Sequence, residues 1–155
     1  MLALSTNFIN AQDAKSKKQQ DKAATIEKYI SDGSFEFVAE YVSPTGGSTI
    51  YLTSRYDMSV GKDSLQTFLP YFGRAYMAPV NPSQGGIQFT STDFTYDVEE
   101  RKKNGWDITI LPKDTRDVRQ LYLSVFEDGR ATLQVISNNR QAISYSGHIR
   151  ERKRR

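Results

Sequence analysis

The stretch that decides the fold runs Leu121-Tyr122-Leu123-Ser124-Val125-Phe126, Asp128-Gly129, Ala131-Thr132-Leu133-Gln134-Val135-Ile136, Asn138-Asn139, then Ala142-Ile143-Ser144-Tyr145-Ser146-Gly147-His148-Ile149. Its three segments are built from β-branched, aromatic and aliphatic residues, and the pairs between them are turn formers. Strands joined by such short turns pair antiparallel with their sequence neighbours. Leu121 to Phe126 is apolar at nearly every position, which predicts a central strand covered on both faces.

Working back from this run, the same grammar repeats. Asn104-Gly105 is the strongest hairpin signal in the chain, leading into Trp106-Asp107-Ile108-Thr109-Ile110-Leu111. Ile87-Gln88-Phe89 and Phe94-Thr95-Tyr96-Asp97-Val98 precede it. Earlier, Phe35 to Val42 alternates with period two, Ser43-Pro44-Thr45-Gly46-Gly47 turns, and Ser48 to Thr53 returns. Tyr56 to Val60 and Ser64 to Leu69 form a further hairpin around Gly61-Lys62-Asp63. Nine or ten short strands with tight turns predict a mainly β fold, a curved antiparallel meander that is barrel-like or two-layered. Helix and strand do not alternate, which argues against a parallel α/β sheet.

Only Asp13 to Asp32 reads as helix. Ala23, Ile26, Tyr29 and Ile30 share one face, and Gly33 is placed to end it. One narrow apolar stripe means this N-terminal helix leans on the sheet. Ahead of it, residues 1–12 resemble the back half of a secretory signal, with Ile9 and Ala11 at −3 and −1 of a cleavage before Gln12. The basic front and full apolar stretch are missing, as they would be if the start were assigned too far downstream. The expected layout is a truncated signal (1–12), a single domain (13–149) and a basic tail (150–155). No segment is long and apolar enough to span a membrane as a helix.

Composition narrows the chemistry. The 155 residues suffice for one domain with a core. The chain has no Cys and one His, His148. Thiolate chemistry, disulfides and Cys- or His-rich metal sites are therefore excluded. Arg150 to Arg155 carries five basic residues and one acid, which leaves the rest with 16 basic and 17 acidic residues. The net charge of +3 belongs to the tail, read as a solvated end, and no nucleic-acid partner is expected. Glycine pairs 46–47 and 85–86 lack the strand–helix setting of a phosphate loop. No nucleophile elbow surrounds any Ser, and His148 reads as a surface residue of an alternating strand. Glu99-Glu100 reads as a charged hairpin tip, and no acidic calcium loop is present. The expectation is a protein without enzymatic activity, cofactor or metal.

One stretch breaks the β pattern. Leu69-Pro70-Tyr71-Phe72-Gly73-Arg74-Ala75-Tyr76 packs three aromatics, an Arg, a Pro and a Gly into eight residues. Pro70 ends the preceding strand, and the octet opens a long loop that runs to Gly86. Its aromatics either plug one end of the sheet or act as recognition anchors with Arg74. Tyr71, Arg74 and Tyr76 are therefore the candidate binding residues, joined by Arg140 from the last hairpin.

Tyr41-Val42-Ser43-Pro44, the octet, Gly86-Ile87-Gln88-Phe89 and Asn139-Arg140-Gln141-Ala142-Ile143-Ser144-Tyr145-Ser146-Gly147 together resemble a family of Bacteroidetes exported proteins, domain of unknown function 4251. The resemblance runs from about Ile26 to Ile149, and the octet is its most specific part. Family members usually carry a signal peptide or lipoprotein signal, so the resemblance implies a periplasmic or secreted protein. The family has no assigned activity. Two readings follow: a binding module for another protein or a glycan, or a small barrel carrying an apolar or amphipathic ligand with the octet at its mouth.

Overall fold

The computed structural model describes residues 7–73 and 85–154, with side chains from residue 11 onward. Arg74 and Tyr76 lie outside the described residues. One helix, α1 (Asn7–Asp32), precedes nine strands: β1 (Phe35–Pro44), β2 (Ile50–Val60), β3 (Leu65–Leu69), β4 (Ile87–Ser91), β5 (Phe94–Glu100), β6 (Gly105–Pro112), β7 (Val118–Phe126), β8 (Arg130–Ser137) and β9 (Ile143–Arg150). All pair antiparallel in one sheet of order β4-β3-β2-β1-β9-β8-β7-β6-β5. Of the two arrangements the sequence allowed, the barrel-like one is found.

The closure follows from strand direction. Direction alternates along the sheet, so the two edge strands, β4 and β5, run the same way, and only Thr92 and Asp93 separate them. They amount to one kinked strand whose first part pairs with β3 and whose second pairs with β6. Counted so, the sheet is an eight-strand barrel, a size whose interior side chains just fill. The Asp114 carboxylate secures the kink. It accepts hydrogen bonds from Ser91 Oγ (2.5 Å), Thr92 N (2.9 Å) and Asp93 N (3.3 Å), while Lys113 N donates to Asp93 O at 2.8 Å.

The Ser91 hydroxyl and the two amides hold the Asp114 carboxyl below its ordinary value. A lowered carboxyl stabilises the fold above its unfolded value of about 3.9; the contribution is lost as pH falls through the still lower folded value. Asp114→Ala is expected to raise amide exchange selectively at Thr92, Asp93 and Lys113 at neutral pH. In the parent protein the same amides should lose protection first on acidification. Unchanged exchange in the variant would refute the latch.

Inside the barrel, Phe35, Phe37, Met58, Leu65, Leu69 and Tyr145 are almost wholly buried, as are Ile108, Ile110, Leu121 and Leu123. The late strands bury alternate residues: Leu121, Leu123 and Val125 point in, while Tyr122 and Ser124 are half-buried outside. The two-sided cover expected for β7 is therefore not found. Its outer face is occupied by polar contacts, with Ser124 Oγ donating to Asp107 Oδ1 at 2.9 Å.

Tyr56–Val60 and the segment before it, expected as separate strands, are one strand, β2. The two parts keep different registers: Ala39 faces Tyr56, yet Tyr41 faces Tyr51, so three extra residues bulge from β2. A one-residue bulge at Glu40 offsets β1 against β9 as well. The Asn104-Gly105 hairpin also differs from expectation. Positive φ falls on Asn104 (54°), and Gly105 already belongs to β6. A Cβ on Gly105 would sit 2.4 Å from Val125 O, so the glycine serves close strand approach rather than the turn.

Helix α1 already includes Asn7, ahead of the expected Asp13, and residues 11–22 are exposed. Ile26 and Ile30 are buried and Tyr29 half-buried, as the stripe predicts. Gly33, at φ +59°, ends the helix in a Schellman motif: Ser34 N bonds Tyr29 O and Gly33 N bonds Ile30 O, both at 3.1 Å. Tyr96 Oη of β5 donates to Ile30 O at 2.8 Å, and Ile26 lies against Gly129 in the β7–β8 turn. The helix thus covers the barrel end where β1 starts. The basic tail begins later than expected: Arg150 is the last residue of β9 and pairs with buried Glu36 at 2.7 Å.

Candidate functional site

The opposite barrel end, where β3 stops and the β8–β9 hairpin turns, holds the predicted binding residues that are described. Pro70 ends β3, and its carbonyl accepts a 2.5 Å hydrogen bond from the Tyr145 hydroxyl. Tyr145 is wholly buried, and burial pushes its hydroxyl pKa up, so it stays a neutral donor. Tyr71, half-buried against the core, donates to Gln141 O at 3.0 Å. The β3 exit is thereby fastened to β9 and its hairpin at two successive residues.

Arg140 completes the fastening. Its guanidinium lies 5.0 Å from the Tyr71 ring centroid, a cation–π distance. Nη1 donates to Gly85 O (3.0 Å) and Gly86 O (3.2 Å), and Nη2 pairs with Asp117 Oδ2 at 3.1 Å. Only 12% of the side chain is exposed. One planar fork therefore joins three places: the re-entry of the long loop before β4, the β6–β7 connection, and the start of the octet. The structure thus brings Tyr71 and Arg140 together, and both serve as struts.

Among the described octet residues, Phe72 remains outward, at 51% exposed. Along the β4/β5 kink beside Arg140 lies a cleft of about 280 Å³, lined by Gln88, Thr90, Asp114, Arg116 and Asp117 among others. Further aromatics stand on the outer surface of β1 to β3. Tyr41 and Tyr51 meet edge-on at 5.3 Å, and Phe68 stacks on Tyr56 at 5.6 Å. Tyr51 is the most open of these, at 64%.

The charged groups with shifted acidity are all engaged structurally. Burial works against ionisation of Glu36, but Arg150 and Arg55 outweigh it and hold the carboxyl low. Arg101, then Ser124, do the same for Asp107. His148 sits on the outer face with Nδ1 2.8 Å from Glu40 Oε1. Among the described residues, no three His, Asp or Glu side chains converge as a metal site would require.

A family model for a domain of unknown function (DUF4251) matches residues 17–149. The chain belongs to this family. A DUF4251 family protein from Bacteroides eggerthii DSM 20697, solved as a crystal structure, is similar at 16% identity, covering 86% of this chain and 87% of that one with a TM-score of 0.60. That likeness shows a shared fold. No curated protein matches. For this DUF4251 chain, the resemblance first carried by the octet and the Asn139–Gly147 hairpin is thus established, while the family itself assigns no role to any residue.

Sequence reasoning missed a second surface at the helix-covered end. A cleft of about 750 Å³ there gathers Lys28, Lys62, Arg152, Lys153 and Arg154 around Tyr29. The basic tail was visible as a charge run, but its docking was not. Arg152 is held by Ser59 and Ser64, residues some ninety positions earlier in the chain.

Proposed function

We propose that this protein is a non-catalytic binding module of the bacterial cell envelope, periplasmic or secreted, which engages a protein or glycan partner through aromatics exposed on its outer surface. The filled barrel interior carries this reading. Large side chains from β1 to β4 and β6 to β9 occupy the space an apolar ligand would need, which favours this reading over that of a ligand carrier. Exposed Tyr and Phe side chains offer large contact area at low entropic cost, and Tyr51 and Phe72 lead among those described. The engagement of Glu36, Asp107 and Asp114 in ion pairs and hydrogen bonds supports the non-catalytic part, because catalytic carboxylates must be available to substrate. Export rests on membership of the family and on Ile9 and Ala11 before Gln12.

The test begins with native mass spectrometry of the protein purified from its own envelope fraction. A bare chain is expected, with Gln12 as its first residue; a discrete added mass lost on denaturation would instead establish a carried ligand. A photo-crosslinking residue placed at Phe72 or Tyr51 should yield a discrete adduct in cells, whereas one at Glu99 should not. The same adducts from all three positions would overturn the reading.

A further inference from the structure

The large cleft at the helix-covered end goes beyond the partner surface just proposed and is separate from it. Its walls are the last turn of α1, the β2–β3 turn and the segment after β9. Arg152 is its organising residue. Nε donates to Ser59 Oγ at 3.0 Å and Nη2 to Ser64 Oγ at 2.9 Å. Both acceptors are neutral hydroxyls, and no carboxylate among the described residues forms an ion pair with Arg152. The guanidinium is thus oriented by hydroxyls, without a carboxylate in direct contact. A Cβ on Gly61 would lie 1.8 Å from Arg152 Nη1, so the turn leaves a seat for this side chain.

Lys62, Lys153 and Arg154 line the same cleft and make no direct ion pair with a described carboxylate, although the Lys62 charge helps Lys28 to hold the Asp32 carboxyl low. Lys28 is taken by Asp32 at 2.8 Å. The carbonyl end of α1 also faces this region. Its last carbonyls, however, already accept from the Gly33 and Ser34 amides and from the Tyr96 hydroxyl, which blunts its negative pole.

An anion fits this field, since a fixed guanidinium with flanking ammonium groups is the usual receiver of phosphate oxygens. The remaining lining narrows the class. Ser34, Gln66, Asp63 and Glu151 offer hydrogen-bonding groups, and the half-buried Tyr29 adds an aromatic wall. Asp32, Asp63 and Glu151 would repel a continuous phosphate backbone, yet they suit the hydroxyls of a sugar. A cleft of about 750 Å³ also far exceeds an isolated phosphate and falls in the range of small-molecule sites. We propose that this cleft binds a phosphate-bearing saccharide, with its phosphate on Arg152, Lys62 and Lys153 and its hydroxyls on the serine and carboxylate side.

The test is calorimetric titration of the full chain with glucose 6-phosphate, glucose and inorganic phosphate. Glucose 6-phosphate should bind at least about tenfold more tightly than either component, and affinity should fall with added salt. Arg152→Gln should weaken it about tenfold, the loss of one charge-assisted contact. The double variant Lys62→Gln/Lys153→Gln alters two exposed side chains, so it decides the matter if the Arg152 variant does not fold; it too should weaken binding about tenfold or more. Arg119→Gln, an exposed cation on β7, should change nothing. Equal affinity for inorganic phosphate and glucose 6-phosphate would overturn the saccharide assignment. Unchanged binding in the double variant would overturn the site. Cosedimentation with phosphatidylglycerol vesicles, without affinity for soluble glucose 6-phosphate, would replace it with a membrane headgroup.

Discussion

Gly147→Ala is expected to destabilise the protein by about 3 kcal/mol or more, the upper range for forcing atoms into a packed interior. Gly147 lies in β9 between Ala39 of β1 and Ala131 of β8, beside the bulge at Glu40. An added Cβ would stand 1.8 Å from Val38 O, 2.9 Å from Val38 C and 3.2 Å from Ala39 Cα. All three are backbone atoms in the ladder that joins the two halves of the sheet, so no side-chain rotation relieves the clash. Against a total stability of about 5–15 kcal/mol, the midpoint of thermal unfolding should drop by roughly 10 °C. Gly85→Ala, where a Cβ meets nothing within 4 Å, is the matched control and should melt with the parent. A Gly147 variant that also melted with the parent would show that β1 and β9 are not held this closely.

Arg140→Ala should cost about 2–3 kcal/mol in urea denaturation, the scale of losing charge-assisted hydrogen bonds from a mostly buried side chain. The variant leaves the Gly85 and Gly86 carbonyls and the Asp117 carboxylate without their shared donor, and it removes the cation over Tyr71. Arg140→Lys keeps the charge but lacks the fork, and should recover less than half of the loss. Amide protection should fall together at Ile87 and Ile143, because one side chain ties both neighbourhoods. If instead stability were unchanged and crosslinking through Phe72 vanished, Arg140 would be a contact for the partner rather than a strut.

Local features were legible because they depend on neighbours in the chain. Ile26 and Ile30 share a helical face by spacing alone, Gly33 stops the helix by its own φ, and Pro70 ends β3 by lacking a donor. The alternation from Ala131 to Val135 likewise names its buried side. Leu121 to Phe126 misled because an apolar run does not say which half of it meets solvent; Tyr122 stays half-exposed since its polar end suits a surface position. The two registers of β2 were hidden too. A bulge is defined by the partner strand, and Tyr51 and Tyr56 face β1 residues chosen by tertiary packing.

The site was legible in part for the same reason. Arg140 and Tyr71 could each be picked out by type and loop setting, but their meeting, and the brace it forms, spans some seventy residues of chain. Arg152 had the opposite fate. Its run of basic neighbours suggested a solvated tail, while the decisive facts, the hydroxyls of Ser59 and Ser64 and the missing Cβ of Gly61, lie far upstream.

The kinked strand shared by β4 and β5 makes the border of the barrel a seam sewn by the chain itself. Its two sides are the two halves of one strand, joined through Thr92 and Asp93 and secured by the bonds around Asp93 and Asp114, so they cannot part without breaking the ladder to β3 or to β6. By contrast, the β1–β9 ladder, which brings Glu36 opposite Arg150, is the spine of the roll and spans nearly the whole chain, the kind of pairing that forms slowly. The folded barrel therefore cannot unroll to lay β4 and β5 open together as two raw edges ready to pair with other molecules. Thr92 and Asp93 are the stitch that keeps each copy closed and apart from the next.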